Sequence, residues 1–249
     1  MPHRFRPTAL RLAALLLAAL ACAGAAAWDR TASVGDSSPA PGRDDPDAAY
    51  QRLVRVIEAM DRATRSSTNI AVRPFARSLQ ETAAGRADFH FPFAQVGDAP
   101  APPGLAYVTT VDFGHAYFVV YSRKRAPLDA RSVARAAQVE VEPGHEQLFA
   151  FPTRATACIP CSLDKLLLGR IDALVVAAPT VDGLLADARY HEVHRALYGA
   201  YPMRALVPSS ADSTATRRYL AEGGTFVVPL PEVTIVRGAD AAPPNAIGV

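Results

Sequence analysis

Cys158 and Cys161 form a C-x-x-C motif and are the most reactive side chains in the sequence. A zinc site would need a second pair of ligands at suitable spacing, and none is evident. Haem attachment would need a histidine at the position of Ser162. The favoured prediction is a disulfide that pins the loop before the next helix. A redox-active pair is the alternative, because a helix N-terminus lowers the pKa of a thiol. No metal ion or cofactor is expected.

Arg77 and Phe75 follow a predicted strand at residues 69–72. Open α/β sheets bind ligands beyond the carboxyl ends of their strands, and an arginine there can hold a carboxylate through two hydrogen bonds. We therefore predict that Arg77 binds an anionic group of a ligand and that Phe75 stacks on the ligand. The alternatives are a solvated or salt-bridged arginine and a phenylalanine that belongs to the core.

Three more polar residues are candidate ligand contacts. Thr109 and Thr110 lie near a predicted change of strand and could donate hydroxyl hydrogen bonds, although threonine is also simply common in strands. His145 follows Pro143-Gly144 at a predicted helix start. Backbone N–H groups at such a start can receive an anion. A surface histidine is the alternative.

The elements that position these residues contain a motif that occurs twice. Residues 78–88 and 162–172 both fit S-L-x5-G-R-x-D, and both lead into an apolar stretch. In each copy we predict that Ser caps a short helix. The glycine then ends this helix in the left-handed region, and a strand follows. Two such copies predict two similar α/β halves with a cleft between them, with chance similarity of two helix ends as the alternative.

Helical and strand patterns alternate along the rest of the chain. Apolar residues recur at helical spacing over residues 49–60, and residues 213–221 read as a helix ended by Gly223-Gly224. The predicted strands with the strongest patterns occupy residues 115–122, 138–141 and 203–208. This alternation predicts the α/β class.

The N-terminus carries the pattern of a secretory signal peptide. Arginines precede an apolar run at residues 12–24, and an A-x-A site at residues 25–27 predicts cleavage before Trp28. An uncleaved anchor helix and a lipoprotein attached through Cys22 are the alternatives. Cleavage leaves two cysteines, which suits an oxidising compartment.

Composition limits the remaining choices. The chain has 249 residues, half of them hydrophobic, and a net charge of +2. No basic run with interleaved aromatics occurs, so no nucleic-acid partner is expected. Residues 28–45 read as a disordered linker and residues 236–249 as a loose tail.

Three stretches, in this order and spacing, resemble the periplasmic solute-binding proteins of ABC importers (solute-binding protein family 3). They are V-R-P-F-A-R through G-R-A-D (72–88), G-H-A-Y-F-V-V-Y-S-R-K-R-A-P-L (114–128) and L-D-K-L-L-L-G-R-I-D-A-L-V-V (163–176). The resemblance implies a two-lobed type 2 periplasmic-binding fold, each lobe a sheet flanked by helices, with the ligand cleft between the lobes. Lobe 1 would comprise residues 46–112 and 200–235, and lobe 2 residues 113–199.

The chain departs from that family at three places. Residues 30–47 match the usual opening of lobe 1 poorly, so we expect its first strand to be missing or degenerate. Amino-acid binders carry an arginine before the crossover to lobe 2, and residues 108–112 contain none. They also carry an aspartate where this chain reads Ala177-Ala178-Pro179. We therefore do not expect recognition of α-amino acids.

The resemblance implies a monomeric periplasmic protein that captures a small polar ligand, of which an anion is one form, and delivers it to an ABC permease. A non-transport sensor or an accessory protein to a periplasmic enzyme system is an alternative. A dehydratase-like enzyme on the same fold is another. The sequence lacks G-x-S-x-G, P-loop and H-E-x-x-H motifs, so we expect no enzymatic activity.

Overall fold

The computed structural model describes residues 29–36 and 49–227. The predicted signal peptide, Cys22 and the tail at residues 236–249 lie outside the described residues. Most of the predicted linker and the last part of the predicted lobe 1, residues 228–235, also lie outside them. Within the described ranges, no helix combines the length and the apolar character needed to cross a bilayer.

Strands and helices alternate along the described chain, as the sequence predicts. The strands are β1 Arg30–Asp36, β2 Thr68–Pro74, β3 Phe89–Ala94, β4 Leu105–Val108, β5 His115–Arg123, β6 Val139–Val141, β7 Arg154–Ala155, β8 Ala173–Ala177 and β9 Val193–Pro208. The α-helices are α1 Ala49–Thr64, α2 Phe75–Ala83, α3 Ile159–Leu167, α4 Ala178–Asp182 and α5 Thr214–Val227. Short 3-10 helices cover Val133–Arg135, Glu146–Leu148, Leu184–Ala186 and Ala188–Tyr190.

The strands form two sheets that share β9. Sheet A has the order β2-β1-β3-β9, with β4 also pairing β9; β1 is parallel to both β2 and β3. Sheet B has the order β9-β5-β8-β6-β7, with β6 parallel to β8 and β7. The N-terminal part of β9 pairs with β5, and its C-terminal part pairs with β3 and β4. The long strand β9 therefore ties the two sheets together.

Three apolar clusters hold these sheets. One packs α1 and α5 on sheet A, around Ile57, Met60 and Phe89. Another packs α3 and α4 on sheet B, around Leu163 and Leu174. The third contains side chains from both sheets and lies between them.

The repeated motif ends its two helices in the same way. Gly85 and Gly169 have φ angles of 71° and 73°, in the left-handed region. The N–H groups of Arg86 and Arg170 each donate back to the carbonyl five residues earlier, both at 2.9 Å. This is the Schellman motif, and it confirms the predicted role of the glycines.

The predicted role of the two serines is wrong. Ser78 and Ser162 lie inside α2 and α3, and both are fully buried. The Ser78 hydroxyl lies 2.8 Å from that of Ser33 on β1, and the Ser162 hydroxyl donates to Glu140 on β6 at 2.5 Å. Each serine therefore satisfies a polar group of the neighbouring strand rather than a helix end.

The aspartates that close the two motifs fix the neighbouring parallel strands. The Asp88 carboxylate accepts from the N–H of Thr31 at 2.6 Å. The Asp172 carboxylate accepts from the N–H groups of Ala137 and Gln138, both at 3.0 Å. The two halves thus share this contact as well as the helix stop.

The expectation that residues 28–45 form a disordered linker, and that the first strand is missing, is wrong for residues 30–36. These residues form β1, which pairs with β2 on one side and β3 on the other. The apolar side chains Ala32 and Val34 alternate with Thr31, Ser33 and Gly35, so hydrophobicity alone does not mark this strand. Its position between two partners and the contact to Asp88 hold it in place.

Gly223 and Gly224 do not end the last helix, which continues to Val227. A Cβ at Gly223 would lie 2.8 Å from Cβ of Met60, and one at Gly224 would lie 2.5 Å from Cγ2 of Val111. The glycines therefore let α5 approach α1 and the chain before β5 closely.

Candidate functional site

A cavity of about 120 Å³ lies between the two sheets. The carboxyl ends of parallel strands from both sheets lead to it, as expected of ligand sites in open α/β folds. Sheet A and its helices contribute Gly35, Tyr50, Leu53, Phe75, Pro92, Ala94 and Met203. Sheet B and its helices contribute Ala116, Tyr117, Phe118, Glu142, His145, Ala177, Pro179 and Thr180. A molecule in this cavity would contact both halves of the protein.

Phe75 makes the main contact across the cleft. It is the first residue of α2, directly after β2, and only 8% of its surface is exposed. Its ring centroid lies 4.4 Å from that of His145, which belongs to the other half, and 5.9 Å from that of Phe93. Phe75 therefore lines the cavity and also belongs to the apolar cluster between the sheets, and its contact with a ligand stays a prediction.

A tight turn places Glu142 and His145 side by side in the cavity wall. The His145 N–H donates to the Glu142 carbonyl at 3.0 Å, with Pro143 and Gly144 at the two central positions. Gly144 has a φ of 96°, and proline followed by such a glycine is the signature of a type II turn. The Glu146 carboxylate accepts from the Gly144 N–H at 2.7 Å and stabilises the turn.

The Glu142 and His145 side chains are buried without close hydrogen bonds. Their exposed fractions are 6% and 5%. Oε2 of Glu142 and Nδ1 of His145 lie 3.4 Å apart, and neither atom makes a hydrogen bond within the described residues. His145 was expected to mark a helix start that receives an anion. Its neighbour is instead a carboxylate, so a hydrogen-bond acceptor lies at this point of the wall.

His90 packs against the Phe75 ring. It is fully buried, and its Nε2 lies 3.1 Å from the Pro92 carbonyl, so Nε2 carries the proton. Nδ1 then accepts from the Ser78 hydroxyl at 2.6 Å. Burial lowers the pKa of His90 from 6.5 to about 3, and the charge of His145 acts in the same direction. The neutral ring meets Phe75 edge-on, with 5.2 Å between centroids.

Of the five predicted contacts, Phe75 and His145 line the cavity and the other three do not. The Arg77 side chain is 67% exposed, and its Nε donates to Glu81 at 2.8 Å. This hydrogen bond lowers the pKa of Glu81. Thr109 and Thr110 are exposed and also lie outside the lining.

The predicted disulfide between Cys158 and Cys161 is confirmed. Cys158 is the N-cap residue of α3, and its sulfur accepts from the Cys161 N–H at 3.3 Å. The bridge therefore closes the first turn of the helix, away from the cavity.

Sequence reasoning missed Glu142. The signal for it was present in the sequence E-P-G-H, which predicts a tight turn and places the first and fourth residues close together. The position where amino-acid binders carry an aspartate is occupied by Ala177 and Pro179, and both line the cavity.

Comparisons with known proteins place this geometry in a known fold. No protein-family model and no curated protein matches the sequence. Solved structures match most of its length. The ligand-binding core of GluR0 in complex with L-glutamate superimposes with a TM-score of 0.61 and 10% identity, covering 86% of this chain and 96% of that one. The chain has the type 2 periplasmic-binding fold.

Two further solved structures with this fold come from two kinds of protein, a transporter component and a sensor. The amino acid ABC transporter substrate-binding protein AbpA from Streptococcus pneumoniae, bound to L-arginine, matches with a TM-score of 0.60 and 11% identity over 83% of this chain and 92% of that one. A histidine kinase sensor domain with similarity to periplasmic binding proteins matches with a TM-score of 0.61 and 14% identity over 84% and 93%. The expected fold class, two α/β lobes around a cleft, is confirmed.

Proposed function

We propose that this protein binds a small molecule in the cleft between its two sheets and closes around it. The observation that carries the proposal is the cavity, whose wall is built by both halves and is mostly apolar. The contact between Phe75 and His145 joins the halves at its edge. A ligand that touches both halves stabilises the closed arrangement relative to the open one, and so shifts the population towards closure.

The connections between the sheets suit a hinge. In this proposal, lobe 1 consists of sheet A with its helices and lobe 2 of sheet B with its helices. The chain passes between them before β5 and within β9, where the pairing with β5 is irregular between Phe118 and Val119. Few crossing segments allow rotation of one lobe against the other with small backbone changes.

The proposed destination of the ligand is an ABC permease, and the proposed location is the periplasm. AbpA, a transporter substrate-binding protein, supports this assignment through its shared fold. A sensor is the second candidate, since a histidine kinase sensor domain shares the fold to the same degree. In both cases the closed form is what a partner recognises.

Ligand binding in this cavity is tested by filling it. Ala177→Leu adds apolar carbons at the cavity wall, and Ala157→Leu adds the same carbons at an exposed position before α3. We expect the native protein and the Ala157 variant to gain thermal stability from a ligand, by about 2.7 kcal/mol at a hundred times Kd. The Ala177 variant should gain none. An equal gain in all three proteins would show that binding occurs elsewhere.

Transport and sensing are separated in cells. If the protein feeds a permease, deletion of its gene abolishes uptake of the ligand. If it is a sensor, uptake continues and only the response to the ligand is lost.

A further inference from the structure

We propose that the cleft selects an organic ammonium cation with a short apolar substituent, and that the Glu142 carboxylate receives its N–H groups. This inference rests on the proposed function, because it names the class of ligand for the same cavity.

Glu142 is a buried acceptor whose capacity is not used. Its Oε2 atom is inaccessible to solvent in the closed cleft and makes no hydrogen bond within the described residues. The nearest ionisable atom, Nδ1 of His145, lies 3.4 Å away without hydrogen-bond geometry. A buried carboxylate without donors is costly, and a charged N–H donor offsets that cost with a strong hydrogen bond. A ligand that carries such a donor therefore gains more than a neutral one.

The lining contains no group that would neutralise an anion in the manner of arginine or lysine. Among the described residues that line the cavity, Glu142 is the one acid, and neither arginine nor lysine occurs. Arg77, the predicted partner of an anion, pairs with Glu81 on the outer face of α2. Behind the wall, burial keeps His90 neutral. A ligand carboxylate would thus lie near the Glu142 carboxylate, in a lining without arginine or lysine.

Aromatic rings contact His145, the neighbour of the carboxylate. Phe75 and Phe118 both contact the His145 ring, with centroids 4.4 and 5.5 Å away, and Tyr117 lies next to Phe118 in the lining. The faces of such rings attract cations, and the attraction grows when water is excluded. Apolar substituents on the cation would pack against Leu53 and Met203.

The cavity volume limits the ligand to a small amine. A cavity of roughly 150 Å³ accepts benzene, and this one measures about 120 Å³. By the same scale this cavity holds on the order of five non-hydrogen atoms. An α-amino acid brings a carboxylate that this lining does not match, so the amine without the carboxylate is the better ligand.

The test uses isothermal titration calorimetry to compare isobutylamine with isobutanol and isobutyrate, which have a similar shape, and with valine, which adds a carboxylate to the isobutylamine skeleton. We expect saturable binding of isobutylamine, at least roughly tenfold weaker binding of isobutanol, and no binding of isobutyrate or valine, since a hydrogen bond to a charged group supplies about a tenfold or larger preference. This comparison uses the native protein and needs no variant.

Glu142→Gln then identifies the acceptor. We expect this variant to lose at least roughly tenfold in affinity for isobutylamine and to keep its affinity for isobutanol, because the amide retains shape but not charge. Glu222→Gln removes an exposed carboxylate from α5, outside the cavity, and should change neither.

The outcomes separate this inference from the proposed function. Binding of isobutyrate or valine in preference to isobutylamine would overturn the ammonium inference and leave binding in the cleft intact. Equal affinity of the native protein and the Glu142 variant for isobutylamine would also overturn it. If none of the four probes binds, the ammonium inference fails, and the comparison of the Ala177 and Ala157 variants decides the proposed function separately.

Discussion

Acidification should destabilise this protein through His90. The ring is fully buried and its pKa falls from 6.5 to about 3, chiefly because burial disfavours the charged form. In the unfolded chain the same ring takes up a proton as soon as the pH falls below 6.5. Between these two values the unfolded state binds more protons than the folded state, so the free energy of unfolding decreases as the pH decreases. The contribution is complete above pH 6.5 and is lost progressively down to about pH 3.

The size of the effect follows from the width of this window. Each pH unit inside it changes the free energy of unfolding by about 1.36 kcal/mol. From pH 6.5 to pH 4.5, His90 alone should therefore remove about 2 kcal/mol, because the unfolded ring is already half protonated at pH 6.5. That is a large part of the roughly 5–15 kcal/mol that stabilises an ordinary domain.

Urea unfolding at several pH values measures this directly. His90→Gln removes the titration but keeps an N–H for the Pro92 carbonyl and an acceptor for the Ser78 hydroxyl. The variant should be less stable than the native protein at pH 7, yet lose about 2 kcal/mol less between pH 6.5 and 4.5. His191→Gln, at an exposed position, should keep the native pH dependence. Parallel curves for the native protein and the His90 variant would refute the reasoning.

Three further substitutions have expected outcomes. Gly144→Ala should weaken ligand binding and lower the free energy of unfolding by about 1–3 kcal/mol, because Gly144 has a φ of 96° and the new Cβ would lie 2.8 Å from Cδ1 of Leu79 across the cleft. A native affinity in calorimetry would contradict this. Reducing the Cys158–Cys161 disulfide should lower the free energy of unfolding by only about 2 kcal/mol, because the bridge closes a very short loop. Urea unfolding with and without reductant measures this loss, and a loss above about 4 kcal/mol would show that the bridge has another role. Arg77→Ala should change neither stability nor ligand affinity, because the side chain is exposed and outside the cavity; weaker binding in calorimetry would restore Arg77 as a ligand residue.

Local patterns predicted much of the fold. Gly85 and Gly169 were recognised as helix stops, because a residue without Cβ is favoured in the left-handed region. The apolar run of β5 and the helical spacing of Leu53, Ile57 and Met60 in α1 were also read correctly. All of these depend on neighbours within a few residues.

Three of the errors share one cause, which is contact between residues far apart in the chain. Ser78 and Ser162 have the residue type of a helix cap, but neighbouring strands supply polar partners inside the sheet. Gly223 and Gly224 have the residue type of a helix stop, yet α1 and Val111 pack so closely that only glycine fits. Strand β1 lacks a strong apolar pattern, and its two partner strands decide its conformation.

The sequence by itself determined the α/β class, the duplicated helix stop, the disulfide pair and the turn that brings Glu142 close to His145. Each follows from bonds and contacts within a few residues. Only the tertiary structure decided that this turn faces Phe75 across a cleft, and that Arg77 lies outside the cavity lining. A binding site joins side chains from separate strands, and their distances depend on how the two sheets pack.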